Sequence, residues 1–393
     1  MTSFPPLKRA AALMALGALS TWTTLPGCTA ARLTAQSRTG CDQPLQVMKT
    51  ADGVPFLRTP DACFADLPDW PYTSKYVELN GLRQAYVDEG PADGEVIVML
   101  HGQPSWGYLY RHMIPTLTAA GHRVIVMDHL GMGRSDKPVD LAFHSFKRHA
   151  QRFEAFLDAL QLQTPTLFAQ DWGSVIGLYV AAGRLDAFKR IIIGNGGLPV
   201  VTERSIPPQD VERSNAAFAD MMAMMPDHQP RLFDDEGNSL LPMPDDAPEP
   251  ALMFGQWSTF ARTSDDFVPS VMLEALTYDA LTPKERYAYD APFPRRELMA
   301  APRTFPSLRD ELLGITQSRV DALATYDRPF LTIFGRNDPG LVGEGDGQDL
   351  MIDHIPGAKG MPHQRLQDAS HFFQDDKGPE VAAMVVAFMR DNP

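Results

Sequence analysis

Apolar and polar residues alternate in the stretch K-Y-V-E-L-N-G-L-R-Q-A-Y-V-D-E-G, from Lys75 to Gly90, around Asn80-Gly81. That pattern predicts a hairpin. The pattern then changes to short continuous apolar runs: V-I-V-M-L at 96–100, R-V-I-V-M-D at 123–128, T-L-F-A-Q at 166–170, R-I-I-I-G at 190–194 and P-F-L-T-I-F-G at 329–335. Runs of this length, apolar throughout, predict strands buried on both faces. Helical stretches separate them, such as R-H-A-Q-R-F-E-A-F-L-D-A-L at 148–160. Strands alternating with helices predict an α/β fold with a mostly parallel, doubly wound sheet.

The rhythm stops between about 199 and 303. Prolines and acidic pairs become frequent, the apolar residues fit short helices, and 234–250 reads as an exposed acidic loop. We read this block as a helical cap inserted into the core. The expected organisation is a signal peptide at 1–27, a linker and lead-in at 28–68, core at 69–198, cap at 199–303 and core again at 304–393.

Charge narrows the partners. The net charge of −14 repels phosphates and argues against nucleic acid. No run in the body of the chain is apolar for long enough to span a bilayer. The start differs: Lys8 and Arg9 precede the apolar run A-A-A-L-M-A-L-G-A-L, and L-P-G-C follows at 25–28. This is an export signal ending in a stretch that resembles a bacterial lipobox, with Cys28 as the acylated residue. The expectation is an exported chain held at the cell envelope, touching membrane only through that lipid. Cys41 and Cys63 would then remain, and in an oxidising compartment they could pair.

The candidate chemistry starts at A-Q-D-W-G, residues 169–173. Small residues flank an aspartate at a strand-to-helix junction. That is the steric pattern of a nucleophile elbow, with Asp171 at its tip and helix N–H groups free to stabilise negative charge. L-H-G-Q-P at 100–104 resembles the His-Gly-x-Pro turn of α/β-hydrolases. That resemblance implies an oxyanion hole made by the backbone N–H groups of Gln103 and Trp172; His101 reads as a structural turn residue. Downstream, G-R-N-D-P-G places Asp338 just past a strand, and D-A-S-H-F-F places His371 in a loop. The order nucleophile, acid, histidine is the one this fold uses.

From about Leu57 to the end, the chain resembles the haloalkane dehalogenases of the α/β-hydrolase superfamily. The resemblance is carried by H-G-Q-P-S-W-G-Y-L-Y-R, M-D-H-L-G-M-G-R-S-D-K-P, A-Q-D-W-G, Y-D-A-P-F-P, G-R-N-D and D-A-S-H-F. It departs from the family at Ser174, where a second glycine is usual, in the acidic cap loop and in the lipobox. It implies the α/β-hydrolase fold with an inserted helical cap, the triad Asp171–His371–Asp338, halide-binding N–H groups on Trp172 and Trp257, and a pocket lined by Phe254 and Phe293.

A carboxylate suits that reaction. Serine attacking a saturated carbon would leave an ether, which water does not readily cleave; aspartate leaves an ester, which it does. No metal or organic cofactor is needed. The expected partners are a small electrophilic aliphatic substrate and water, and the chain is expected to be a monomer. The alternative is an epoxide hydrolase using the same triad, with a cap tyrosine (Tyr278, Tyr287 or Tyr289) protonating the alkoxide. A third reading, a lipid-anchored binding protein on a retired hydrolase fold, fits poorly because all three triad candidates are retained.

Overall fold

A computed structural model describes residues 40–199, 201, 203–224, 250–314, 317–338 and 346–393. The signal peptide, the proposed acylation site Cys28 and nearly all of the acidic cap loop lie outside the described residues.

Two short strands open the chain, β1 (Met48–Lys49) and β2 (Pro55–Leu57). The main sheet contains β3 (Lys75–Leu79), β4 (Leu82–Glu89), β5 (Val96–Leu100), β6 (Arg123–Met127), β8 (Thr166–Asp171), β9 (Arg190–Gly196), β10 (Phe330–Gly335) and β11 (Gln364–Leu366). Its order is β11-β10-β9-β8-β5-β6-β4-β3. The strands from β6 to β11 run parallel, while β3 and β4 form an antiparallel hairpin at one edge. Asn80 and Gly81 turn that hairpin with positive φ. The two opening strands join β7 (Lys137–Pro138) in a separate small sheet, which the sequence pattern does not reveal because each strand is only two or three residues long.

Successive strand residues point to opposite faces, and both faces are buried. Ile97, Met99, Val124, Val126, Phe168 and Ile192 enter one apolar cluster. Their neighbours Val98, Leu100, Ile125, Met127, Leu167 and Ile191 enter the other. This accounts for the unbroken apolar runs: every position in these strands has a partner. The covering helices are α1 (Ile114–Ala119), α2 (Phe146–Ala159), α3 (Trp172–Gly183) and the later helices of the core.

Helices α4 (Val211–Met224), α5 (Pro250–Thr263), α6 (Pro269–Glu274), α7 (Pro283–Asp290) and α8 (Ala300–Thr304) lie between β9 and β10 in the chain. They have an apolar cluster of their own, Phe218, Phe260, Ala261, Phe267 and Met272. A capping box at Thr282 and Glu285 starts α7. After it come α9 (Gln317–Leu323), α10 (Asp346–His354) and α11 (Phe373–Asp391), the last kinked at Lys377 ahead of Pro379. Among the described residues no helix is long and apolar enough to cross a membrane.

Cys41 and Cys63 form a disulfide across 22 residues. The segment it closes meets the end of the cap: Tyr287 Oη donates to Cys63 O at 3.0 Å, and Thr59 Oγ1 donates to Pro292 O at 2.7 Å.

Candidate active site

The strand order creates the site. The chain leaves β5 for β6 on one side, then crosses back to β8 on the other. The carboxyl ends of β5 and β8 therefore lie side by side at the point where the order reverses, which is where ligands bind in open α/β sheets. The turn His101-Gly102-Gln103 leaves β5, and Asp171 ends β8.

Asp171 also caps α3, with φ 50° and ψ −129°. A non-glycine residue pays for such a backbone only where its surroundings impose it. The surroundings here are steric gaps. A Cβ on Gly102 would lie 2.1 Å from Asp171 Oδ1, one on Gly173 would lie 2.4 Å from Leu100 O, and one on Gly196 would lie 2.0 Å from Ser174 Oγ. Ser174 itself is fully buried; its hydroxyl donates to Asp171 O at 2.6 Å and accepts from Gly197 N at 3.0 Å. It braces the elbow and is not presented to a substrate.

The two carboxylate oxygens of Asp171 have different environments. Oδ1 accepts the backbone N–H of Gln103 at 2.7 Å. Oδ2 faces His371 Nε2 at 3.6 Å. The Gln103 turn is in turn fastened to its neighbours. His101 Nδ1 donates to Gly102 O at 2.8 Å, and its Nε2 accepts from His129 N at 2.9 Å. Gln103 Nε2 donates to Pro302 O at 2.8 Å, in α8.

His371 is buried, and its Nδ1 lies 2.8 Å from Asp338 Oδ2. An ionised Asp338 makes Nδ1 the protonated nitrogen and turns Nε2 toward Asp171. Burial disfavours the imidazolium, but Asp338 and Asp171 on either side outweigh it and raise the histidine to about 10. Asp338 is held by a residue the sequence reading missed: Asn195 Nδ2 donates to Asp338 Oδ2 at 2.7 Å, and Asn195 Oδ1 accepts from Gly335 N at 2.6 Å. Its sequence signal is a polar residue directly after the run R-I-I-I-G; in the structure it is the last residue but one of β9, with φ 31°. Gln170, the residue before the nucleophile, donates from Nε2 to His371 O at 3.2 Å.

The structure thus brings Asp171, His371, Asp338, Gln103 and Trp172 together. Trp172 opens α3 and sets its ring edge against Phe305 at 6.0 Å. Phe293 is buried in the same apolar cluster as Trp172. Trp257 lies in the cap cluster, stacked on Phe218 at 5.6 Å and near Phe260 and Phe267. Phe254 lies under the Arg309 guanidinium at 5.1 Å. The contacts described for Trp257 and Phe254 are with the cap and its border, not with the triad.

A family model described as alpha/beta hydrolase fold matches residues 95–235. A haloalkane dehalogenase of Mycobacterium marinum is 38% identical over 342 residues, which cover 84% of this chain and 99% of that protein. The chain belongs to the haloalkane dehalogenase family. A haloalkane dehalogenase of Psychrobacter cryohalolentis is 35% identical over 347 residues, covering 86% of this chain and 99% of the relative. Among solved structures, the tetrameric haloalkane dehalogenase DpaA from Paraglaciecola agarilytica NO2 matches with TM-score 0.65 and 28% identity, over 84% of this chain and 98% of that one. Members of a dehalogenase family share a fold and an ancestry; which side chains act in this one is a question for its own geometry.

That geometry bears on the tyrosines. Tyr289 is fully buried and its hydroxyl donates to Asp375, while the Tyr287 hydroxyl donates to Cys63 O. Both are committed away from Asp171. His112, Glu285 and Asp375 bring three possible metal-ligand atoms within 4.8 Å of one another, but both carboxylates pair with the buried Arg111 guanidinium, Glu285 at 2.8 Å and Asp375 at 2.5 Å. An uncompensated guanidinium there would oppose a bound cation.

Proposed function

We propose that this chain hydrolyses the carbon–halogen bond of haloalkanes to an alcohol and halide, through an ester on Asp171. The observation that carries the reading is the division of labour on one carboxylate: Oδ1 is held by the Gln103 N–H, and Oδ2 is turned toward the histidine. Oδ2 attacks the carbon as the carbon–halogen bond breaks, and the halide leaves with the bonding pair. The indole N–H of Trp172 receives it; the family resemblance, not a contact seen with the triad, adds Trp257 as the second donor and Phe254 beside Phe293 as pocket lining. Oδ1 becomes the ester carbonyl oxygen while still held by the Gln103 N–H, and with the Trp172 backbone N–H as the second donor of the oxyanion hole its charge is stabilised as water attacks.

His371 removes the proton from that water. The two carboxylates beside it favour the protonated imidazole. Esterification converts Asp171 to a neutral group and removes one of the two charges responsible. The first step therefore lowers the histidine's pKa, the imidazolium gives its Nε2 proton to solvent, and the neutral ring is the base for the second step. The alkoxide released as the ester breaks takes up the proton drawn from the attacking water, and Asp171 returns as a carboxylate. Asp338 remains to orient the ring and stabilise its positive form. The products are alcohol, halide and one proton.

Purified protein given 1,2-dibromoethane or 1-chlorobutane should release halide. Asp171→Ala should not, and Ser174→Ala should. A dead Ser174→Ala with an active Asp171→Ala would overturn the assignment. An epoxide hydrolase would need a cap acid; Tyr287 and Tyr289 are engaged elsewhere, which leaves Tyr278 as its candidate, and turnover of styrene oxide without halide release from any haloalkane is the result that would favour it.

The sequence also supports an exported, lipid-anchored chain, cleaved before Cys28. The Cys41–Cys63 disulfide suits an oxidising compartment. Mass spectrometry of the mature N-terminus tests this, and an unmodified chain starting elsewhere would contradict it. The proposed assembly is a monomer; light scattering of the purified chain would expose a tetramer like that of DpaA.

A further inference from the structure

The loop carrying His371 is suspended from both sides. Phe372, just after the histidine, donates its N–H to Leu276 O at 3.0 Å. Ser370, just before it, donates its N–H to Asp376 Oδ2 at 2.9 Å. The other oxygen of that carboxylate, Oδ1, accepts the N–H groups of Tyr278 at 2.9 Å and Asp279 at 3.2 Å. Leu276, Tyr278 and Asp279 follow α6 in the cap. One carboxylate therefore ties the cap to the residue that precedes the catalytic imidazole.

Asp376 lies in the first turn of α11. An acid at that position ordinarily serves its own helix, by facing the free N–H groups of the first turn. The three donors found here come from elsewhere: one from the histidine loop and two from a segment nearly a hundred residues away. This is a cross-brace between elements, not a helix cap. Its neighbour Asp375 pairs with Arg111 and accepts from Tyr289, which fastens the same turn to α7. The brace reaches Ser370, whose carbonyl accepts from Asn195 Nδ2 at 3.3 Å and whose hydroxyl donates to Asn337 O at 2.8 Å. Moving Ser370 would shift the imidazole against both Asp338 and Asp171.

We propose that Asp376 is a positioning residue for His371, setting where Nε2 stands over the Asp171 ester and coupling that placement to the seating of the cap. The inference rests on the two-step reading above. Attack by Asp171 needs no proton transfer, so it tolerates a displaced imidazole. Ester hydrolysis needs Nε2 within reach of a water, and a displacement of about 1 Å can cost about a hundredfold.

Asp376→Asn keeps the side-chain volume but leaves only one oxygen to accept. In rapid-quench experiments with 1,2-dibromoethane, it should slow hydrolysis of the alkyl-enzyme at least about tenfold while first-turnover bromide release changes less than about threefold. The alkyl-enzyme should then accumulate and be seen by mass spectrometry. Equal slowing of both steps, or no slowing in a folded variant, overturns the proposal. If the asparagine variant does not fold, Asp376→Glu retains the charge and lengthens the reach, and the same selective slowing is required of it. His371→Phe separates the two levels of inference: an adduct there without selective slowing in the Asp376 variants sinks this proposal alone, and no adduct there sinks the function with it.

Discussion

Asp171 and His371 stand 3.6 Å apart, yet they are held there by different means. Asp171 is placed by its chain neighbours, by the Gln103 N–H and by empty space. A strand ends, a helix begins, and Gly102, Gly173 and Gly196 leave room where any side chain would collide. His371 is placed by separate segments that meet only in the fold: Asn195 near the end of β9, Asp338 after β10, Leu276 in the cap and Asp376 in α11. The nucleophile's side is mainly steric, with one backbone hydrogen bond from the Gln103 turn that is itself tied to α8; the base's side is polar and more widely distributed. A local arrangement fails all at once, whereas a distributed one degrades in steps.

The largest effect should come from removing the base itself. His371→Phe should give a burst of about one equivalent of halide per enzyme and then stop, with steady-state turnover down at least about ten-thousandfold. The adduct mass on the peptide containing Asp171 checks it. A variant that releases halide continuously would show that another group activates the water, and the two sides would not be separable by step.

Next in size is a steric break on the nucleophile's side. The Gly102→Ala methyl would lie 2.1 Å from Asp171 Oδ1, so either the carboxylate or the Gln103 turn must move. Turnover should fall about a hundredfold or more, in both chemical steps alike, because the same oxygen serves both. Near wild-type rates would show that the elbow is less constrained than its glycines imply.

The same contrast decides what could be seen in the sequence. The α/β alternation, the hairpin at Asn80-Gly81 and the elbow are each written within a dozen contiguous residues, so periodicity and turn chemistry reveal them. Asp338 and His371 were legible because each follows a strand and stands in the expected order. Asn195 was passed over, since a lone asparagine at a strand end has many uses and its partner lies 143 positions on. Asp376 looks in sequence like an ordinary acid in a first helical turn. The pairing of Cys41 with Cys63 was left open by spacing alone, which does not determine geometry. Strands of two residues carry no period, and the small sheet of β1, β2 and β7 was accordingly missed.

A pH experiment tests the electrostatic link between the two sides. The folded pKa of His371 is raised above its unfolded value by Asp338 and Asp171. The stability it contributes is therefore fully present below about 6.5, the unfolded value, and is lost as pH rises through the folded value of about 10. Asp171→Asn removes one of the two charges, so its urea midpoint should fall less than that of the wild type between those limits. Identical slopes would mean that Asp171 does not share the histidine's proton energetics.

The smallest expected effect on turnover is far from both sides. Opening the disulfide with Cys41→Ser and Cys63→Ser frees a loop closed across 22 residues, and should cost about 3 kcal/mol of stability. Neither cysteine touches the triad. The segment does touch the cap, through the Tyr287 hydroxyl on Cys63 O and the Thr59 hydroxyl on Pro292 O. If the cap positions only the histidine's loop, the double serine variant, assayed well below its own unfolding midpoint, should keep turnover within about twofold, and any loss should fall on ester hydrolysis. A larger loss confined to halide release would mean that the cap governs the nucleophile's side as well. The contrast between the two halves would then fail, because the Gln103–Pro302 contact would carry the cap's influence to Asp171 as strongly as the contacts after α6 carry it to His371.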